Sequence, residues 1–170
     1  MTKRVSRLIA GAGVAALVAA VGGAQSNLQA AGSASANVTV TANVAANCVI
    51  NAGSVAFGAY DPVTANASTD LDGAGNFQVQ CTKGTAATVT LGNGLNFSGG
   101  TRRMSSGSDF LNYNLYTSAA RSTVWNTANT VSYTANSKAL FTLDVYGRVP
   151  SNQDISTGSY TDTVVATINF

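Results

Sequence analysis

Cys48 and Cys81 are the only cysteines in the chain, and they are its one clear case for covalent chemistry. A redox pair needs close spacing and an activating environment, and the roughly thirty residues between these two hint at neither. In an oxidising compartment the expected product is a structural disulfide. Closing that loop stabilises by about 3.8 kcal/mol in the chain-entropy model. The rest of the inventory argues against an enzyme. There is no His and no Glu, so the usual general bases and most metal-ligand sets are missing. No Ser or Thr has a His to activate it, and no spacing supports a Ser–Lys pair with Lys83 or Lys138. Asp70-Leu71-Asp72-Gly73-Ala74-Gly75-Asn76 resembles a calcium loop only superficially. It lacks a side-chain oxygen at Ala74 and has Cys81 where a bidentate Glu belongs, so a turn rich in Asp and Gly is expected there. Arg102-Arg103 reads as an exposed loop pair. Trp125 and the tyrosines read as core and sheet residues rather than a sugar platform. No cofactor and no metal are expected.

Composition narrows the class further. A length of 170 residues suits one domain, or one domain plus a targeting segment. Charged residues make up 9%, against a usual ~25%, and so few cations exclude a basic nucleic-acid surface. Thr and Val richness with two prolines points to strands. Lys3, Arg4 and Arg7 precede an unbroken small-apolar run from Leu8 to Val21. That run would span about 21 Å as a helix, short of a ~30 Å hydrocarbon core. Residues 1–36 therefore read as a signal peptide, with cleavage after Ala30 or Ala36. Without the three leader cations the net charge falls from +2 to −1, so its sign carries no message about partners.

The elements that must position these residues are strands. Apolar–polar alternation recurs between Gly- and Asn-rich breaks. The runs are Val38–Val44, Cys48–Phe57, Phe77–Cys81, Ala87–Leu91, Leu111–Leu115 with Tyr133, Leu140–Val149, and Tyr160–Phe170. Helical periodicity is absent outside the leader. Seven or eight strands in one domain predict an all-β, two-sheet sandwich of immunoglobulin type. Val38–Val44 stands apart, because it abuts the leader and no turn signal folds it back as a hairpin. It reads either as part of a long bent first strand or as a strand that pairs with another molecule.

At this point the residues match a known pattern. Near the start come Val38-x-Val40, then Asn47-Cys48-Val49-Ile50 and Phe57-Gly58-x-Tyr60-Asp61-Pro62. Phe77-x-Val79-x-Cys81-Thr82 follows, then Leu111-Asn112-Tyr113-Asn114-Leu115-Tyr116 with Ala119-Ala120-Arg121 and Trp125. The last group is Tyr146-Gly147-Arg148-Val149-Pro150 with Gly158-Ser159-Tyr160-Thr161-Asp162-Thr163-Val164. In this order the chain resembles the spore coat protein U domain family, which includes the major subunits of archaic chaperone–usher pili. Asn126-Thr127-Ala128-Asn129 departs from the family's Gly-containing turn, which touches only loop geometry.

The resemblance implies an incomplete immunoglobulin-like sandwich, completed by a donor strand from a neighbouring subunit. It further implies a periplasmic chaperone, an outer-membrane usher and identical subunits as partners, and an extracellular adhesive fibre as product. Contact with abiotic or host surfaces would come through a tip subunit. The expected donor strand is residues 37–46, presenting Val38, Val40, Ala42 and Val44 on one face; residues 47–170 form the domain. The expected acceptor edge is the terminal run, with Val164, Ala166, Ile168 and Phe170 on one face. Two other readings stand beside the fibre: a secreted spore-coat or matrix protein or minor subunit with the same fold, and a carbohydrate- or surface-binding module. A two-domain tip adhesin would need about twice this length.

Overall fold

A computed structural model describes residues 31–170; the expected signal peptide up to Ala30 lies outside the described residues. Residues Ala42–Phe170 pack as one compact unit. Its strands are β1 (Cys48–Ala56), β2 (Leu71–Cys81), β3 (Ala86–Leu91), β4 (Arg102–Ser106), β5 (Asp109–Tyr116), β6 (Val131–Thr134), β7 (Phe141–Val149) and β8 (Ala166–Asn169). They form a five-stranded sheet ordered β1-β2-β7-β5-β4 and a three-stranded sheet ordered β6-β3-β8. Among the described residues there is no helix. Among the described residues these strands pair antiparallel throughout.

The core follows from the alternation of strand side chains between faces. Phe77, Val79 and Cys81 of β2, Leu111, Tyr113 and Leu115 of β5, and Leu143, Val145 and Val149 of β7 point inward and are buried. They meet Ala87, Val89 and Leu91 of β3, with Trp125 filling the space between the sheets. The Trp125 indole donates to the carbonyl of Val89 at 2.9 Å, so the one polar atom of a fully buried ring is satisfied.

Four expectations change. The Asp70–Asn76 stretch is no turn: most of it is the first half of β2, paired with β1 on one side and β7 on the other. Its glycines permit a close crossing. A Cβ on Gly75 would collide with the Ser54 carbonyl, and one on Gly147 would sit 2.5 Å from the Phe57 ring. Asp72 pairs outward with Arg148 at 2.7 Å and Arg121 at 3.1 Å. The Arg148 hydrogen bond holds its carboxyl below the usual carboxylate range.

Arg102-Arg103 is not a loop pair either; it opens β4. The terminal run shortens to β8, leaving Phe170 outside the strand and 57% exposed. Residues 31–47 form no strand and are exposed throughout. Extended chain needs a partner for its N–H and C=O groups, and within the compact unit β1 pairs with β2 rather than with the segment before it.

β1 also carries a bulge. Asn51 pairs with Gln78 but Ser54 with Asn76, so one residue is extra. A bulge switches which residues face inward. Cys48 and Ile50 are half-buried before it, Val55 and Phe57 after it, and residues 51–54 are all exposed.

Candidate functional site

A groove opens between β1 and the chain's terminal segment. On one side run Ile50 to Val55 with Phe57; on the other run Tyr160 to Val164 and Ala166. Its floor is the core: Phe77, Leu91, Met104, Tyr113, Leu115 and Val145. The volume is about 630 Å³. An adjoining cavity of about 620 Å³ shares Val55, Phe57, Met104 and Tyr160 with it. A sandwich closed along both edges would have no groove above these residues. Here the floor residues are buried individually, yet they line an open groove along the gap between the two sheets.

Topology explains the gap. β1 is an edge of the large sheet and β8 an edge of the small one. β8 pairs with β3 on one side, with Ala166 opposite Leu91 and Ile168 opposite Val89. Its other side has no strand. Just before β8 the chain passes from one sheet to the other. Gly92 N–H donates to the Val165 carbonyl at 2.8 Å, and Thr161 bridges to Ser105 of β4.

A polar brace holds this crossing. The Tyr113 hydroxyl donates to Asp162 Oδ2 at 2.6 Å. Asp162 Oδ1 accepts from the Leu95 N–H at 2.9 Å and from its neighbour Thr163 at 2.8 Å. Burial, with the adjacent carboxylate, pushes the Tyr113 phenol far above its usual range, so it stays a donor. Gly94, at φ 84°, lets the loop come this close, because a Cβ there would overlap the Asp162 carboxylate.

Behind the brace lies Arg102, 2% exposed. Its guanidinium donates to Gly92 O at 2.7 Å, Trp125 O at 2.7 Å and Leu91 O at 3.3 Å. Two of these carbonyls lie where β3 ends, and the third, Trp125 O, belongs to the connection between β5 and β6. Sequence reasoning missed this residue as a core element; its signal was faint, an Arg followed by Met104 at alternating spacing.

Of the acceptor residues expected from the sequence, Val164 and Ala166 line the groove. Ile168 packs on the core beside β3, and Phe170 faces solvent. The opposite wall, with Ile50, Val55 and Phe57, was not foreseen as part of the acceptor. The residues expected from the sequence to act as donors are exposed: Val38 is 84%, Val40 88% and Val44 78% exposed. Cys48 and Cys81 are joined, tying the first residue of β1 to the last of β2. Replacing both by Ser is expected to destabilise the domain by roughly 2–4 kcal/mol, read as a lowered midpoint in urea. An unchanged midpoint would mean that the pair contributes nothing beyond register.

Comparisons with known proteins agree with this architecture. The Spore Coat Protein U domain model matches residues 34–167. "Protein U" of Myxococcus xanthus is 40% identical over 129 residues, covering 69% of this chain and 72% of that protein. Among solved structures, the chain resembles the CsuC–CsuE chaperone–tip adhesion subunit pre-assembly complex from archaic chaperone–usher Csu pili of Acinetobacter baumannii, with a TM-score of 0.55 and 26% identity. That likeness covers 75% of this chain but only 40% of the matched chain. The family and this fold are structural rather than enzymatic. With the motifs in order, the sandwich in place and the match spanning nearly the whole described region, the chain belongs to the Spore Coat Protein U domain family.

Proposed function

We propose that this protein is an exported structural subunit of a chaperone–usher fibre, which polymerises when residues 38–44 of one copy enter the groove of the next. One observation carries the reading: an apolar groove runs along the core between β1 and the terminal segment, while an exposed apolar–polar strand pattern that pairs with no strand among the described residues precedes β1. Each supplies what the other lacks. Three buried valines contribute about 1.5–3 kcal/mol each. Roughly eight to ten backbone hydrogen bonds add about 0.5–1.5 kcal/mol each, before the cost of ordering the donor is subtracted. Because the donor completes a core, its departure amounts to partial unfolding, and the fibre persists kinetically.

An open apolar edge aggregates unless covered, so a periplasmic chaperone must hold the subunit before an outer-membrane usher admits it to the fibre. The pre-assembly complex found for the structural neighbour supports that order of events. The mature fibre would stand on the cell surface, built of identical subunits.

Deleting the mature segment before Asn47 is expected to leave a domain that folds with its chaperone but forms no fibres in negative-stain micrographs. Normal fibres from the truncated protein would place the donor elsewhere. The family's spore-coat description favours a second reading, a secreted coat or matrix protein using the same strand exchange. Chaperone and usher genes beside this one would decide for the fibre.

A further inference from the structure

The two lysines of the folded unit and four of its seven aspartates lie at opposite ends, whereas Asp72 is paired with arginines, Asp144 sits mid-strand in β7 and Asp162 lines the groove. All four arginines among the described residues have partners inside the fold: Arg102 on carbonyls, Arg103 on Asn96 O and over the Phe110 ring, Arg121 and Arg148 on Asp72. Lys83 and Lys138 are different. Both are exposed, and neither forms an ion pair among the described residues. They line one concavity with Asn47 and Ser137, at the end of the sandwich where Cys48 meets Cys81. That is the end from which residues 42–47 depart.

The opposite end is acidic. Ala56 of β1 pairs with Ala74, and Leu71 pairs with Val149. The loops beyond those pairs carry Asp61, Asp154 and Asp70, the last also 3.6 Å from Arg148, and Asp109 is tied to them through the Ser156 N–H at 3.0 Å. Asp154 is exposed and has no ion-pair partner among the described residues. The two ends are separated by the length of β2, about 36 Å for its strand rise.

We propose that the concavity holding Lys83 and Lys138 receives the acidic end of a second copy of this chain, so that successive subunits stack lysine end to carboxylate end. The proposal rests on the strand-exchange reading and adds a polarity to it. Only three residues, Ala45 to Asn47, separate the donor pattern from β1, a reach of about 10 Å. A donor lying in the groove in the same direction as the acceptor's β1 ends at the acidic end of that acceptor. The short reach then brings its own lysine end against those carboxylates. A donor lying the other way would press two lysine ends together. Charge complementarity of this kind sets register and orientation and acts over about 10 Å at 0.1 M salt.

The test uses assembled wild-type fibres and a water-soluble carbodiimide, which condenses an amine with a carboxylate in contact and loses the elements of water to the reagent. After denaturation the treated fibres should run as a covalent ladder. Peptide mapping should place the new amides between Lys83 or Lys138 and Asp154, Asp70, Asp61 or Asp109. Fibres of the Lys83→Gln, Lys138→Gln variant should give about tenfold less ladder. A ladder mapped to Asp144 or to the terminal carboxylate, or fibres that yield no ladder, overturns the stacking while leaving strand exchange intact. Failure of the wild-type protein to form fibres at all would overturn strand exchange and the stacking with it.

Discussion

Val40→Asp is expected to abolish fibre assembly, and Thr39→Asp to leave most of it. Strand side chains alternate faces, so in the proposed exchange residue 40 would enter the neighbour's groove while residue 39 would point away. The structure makes this a clean comparison. Val40 is 88% exposed in the single chain, so the substitution removes nothing from the subunit's own core. The groove has no remedy for a carboxylate: its lining holds no Lys or Arg, and its one charged group, Asp162, is itself acidic. An uncompensated buried charge costs several kcal/mol after relaxation, equivalent to a hundredfold or so in assembly equilibrium. Fibre yield at equal periplasmic subunit levels is the measurement. Equal yields, or the reverse order, would mean that the register is off by one or that this segment never enters a neighbour.

Arg102→Met should unfold the domain far more readily than Arg103→Met. Methionine fills similar length but donates nothing, so the Gly92, Trp125 and Leu91 carbonyls lose their shared partner. Leaving buried acceptors unpaired costs about 1–3 kcal/mol each, and the sum after relaxation is expected near 3–5 kcal/mol. For a domain of this size that lowers the unfolding midpoint by roughly 10–20 °C. Arg103 makes one hydrogen bond and a contact over Phe110 in a half-buried setting, worth about 1 kcal/mol. Thermal unfolding by circular dichroism compares the two. Similar midpoints for both variants would remove Arg102 from its place as a core brace.

Much of the sandwich was legible because its central strands obey the simplest rule. Phe77–Cys81, Ala87–Leu91, Leu111–Leu115 and Leu143–Val149 alternate cleanly and bury one face. Where that rule fails, a specific neighbour is responsible. The first half of β2 looks like a turn because Gly73 and Gly75 are cut to fit β1 passing over them. β4 looks like a loop because its most buried inward residue is Arg102, with only Met104 as an apolar companion. In β1 the bulge breaks the parity, so Ile50 and Val55 never appear as one stripe. Of the groove's terminal wall, Val164 and Ala166 are among the residues expected from the sequence, while Tyr160 to Thr163 and the β1 wall emerge only in three dimensions. No pattern within the chain could show that Arg102 would be the partner of carbonyls released where β3 ends.

The cystine also decides how the molecule bears a pull. In a strand-exchanged fibre every subunit is hauled by its residues 37–47, and that tension arrives at Cys48, the first residue of an edge strand. Hydrogen bonds between antiparallel strands, loaded from one end, open one after another like a zip. The sulfur–sulfur bond at that very position carries the load straight into Cys81, whose strand β2 lies inside the sheet between β1 and β7. The weakest pair is thereby removed from the line of force, and the strain is shared as shear along a strand held on both flanks.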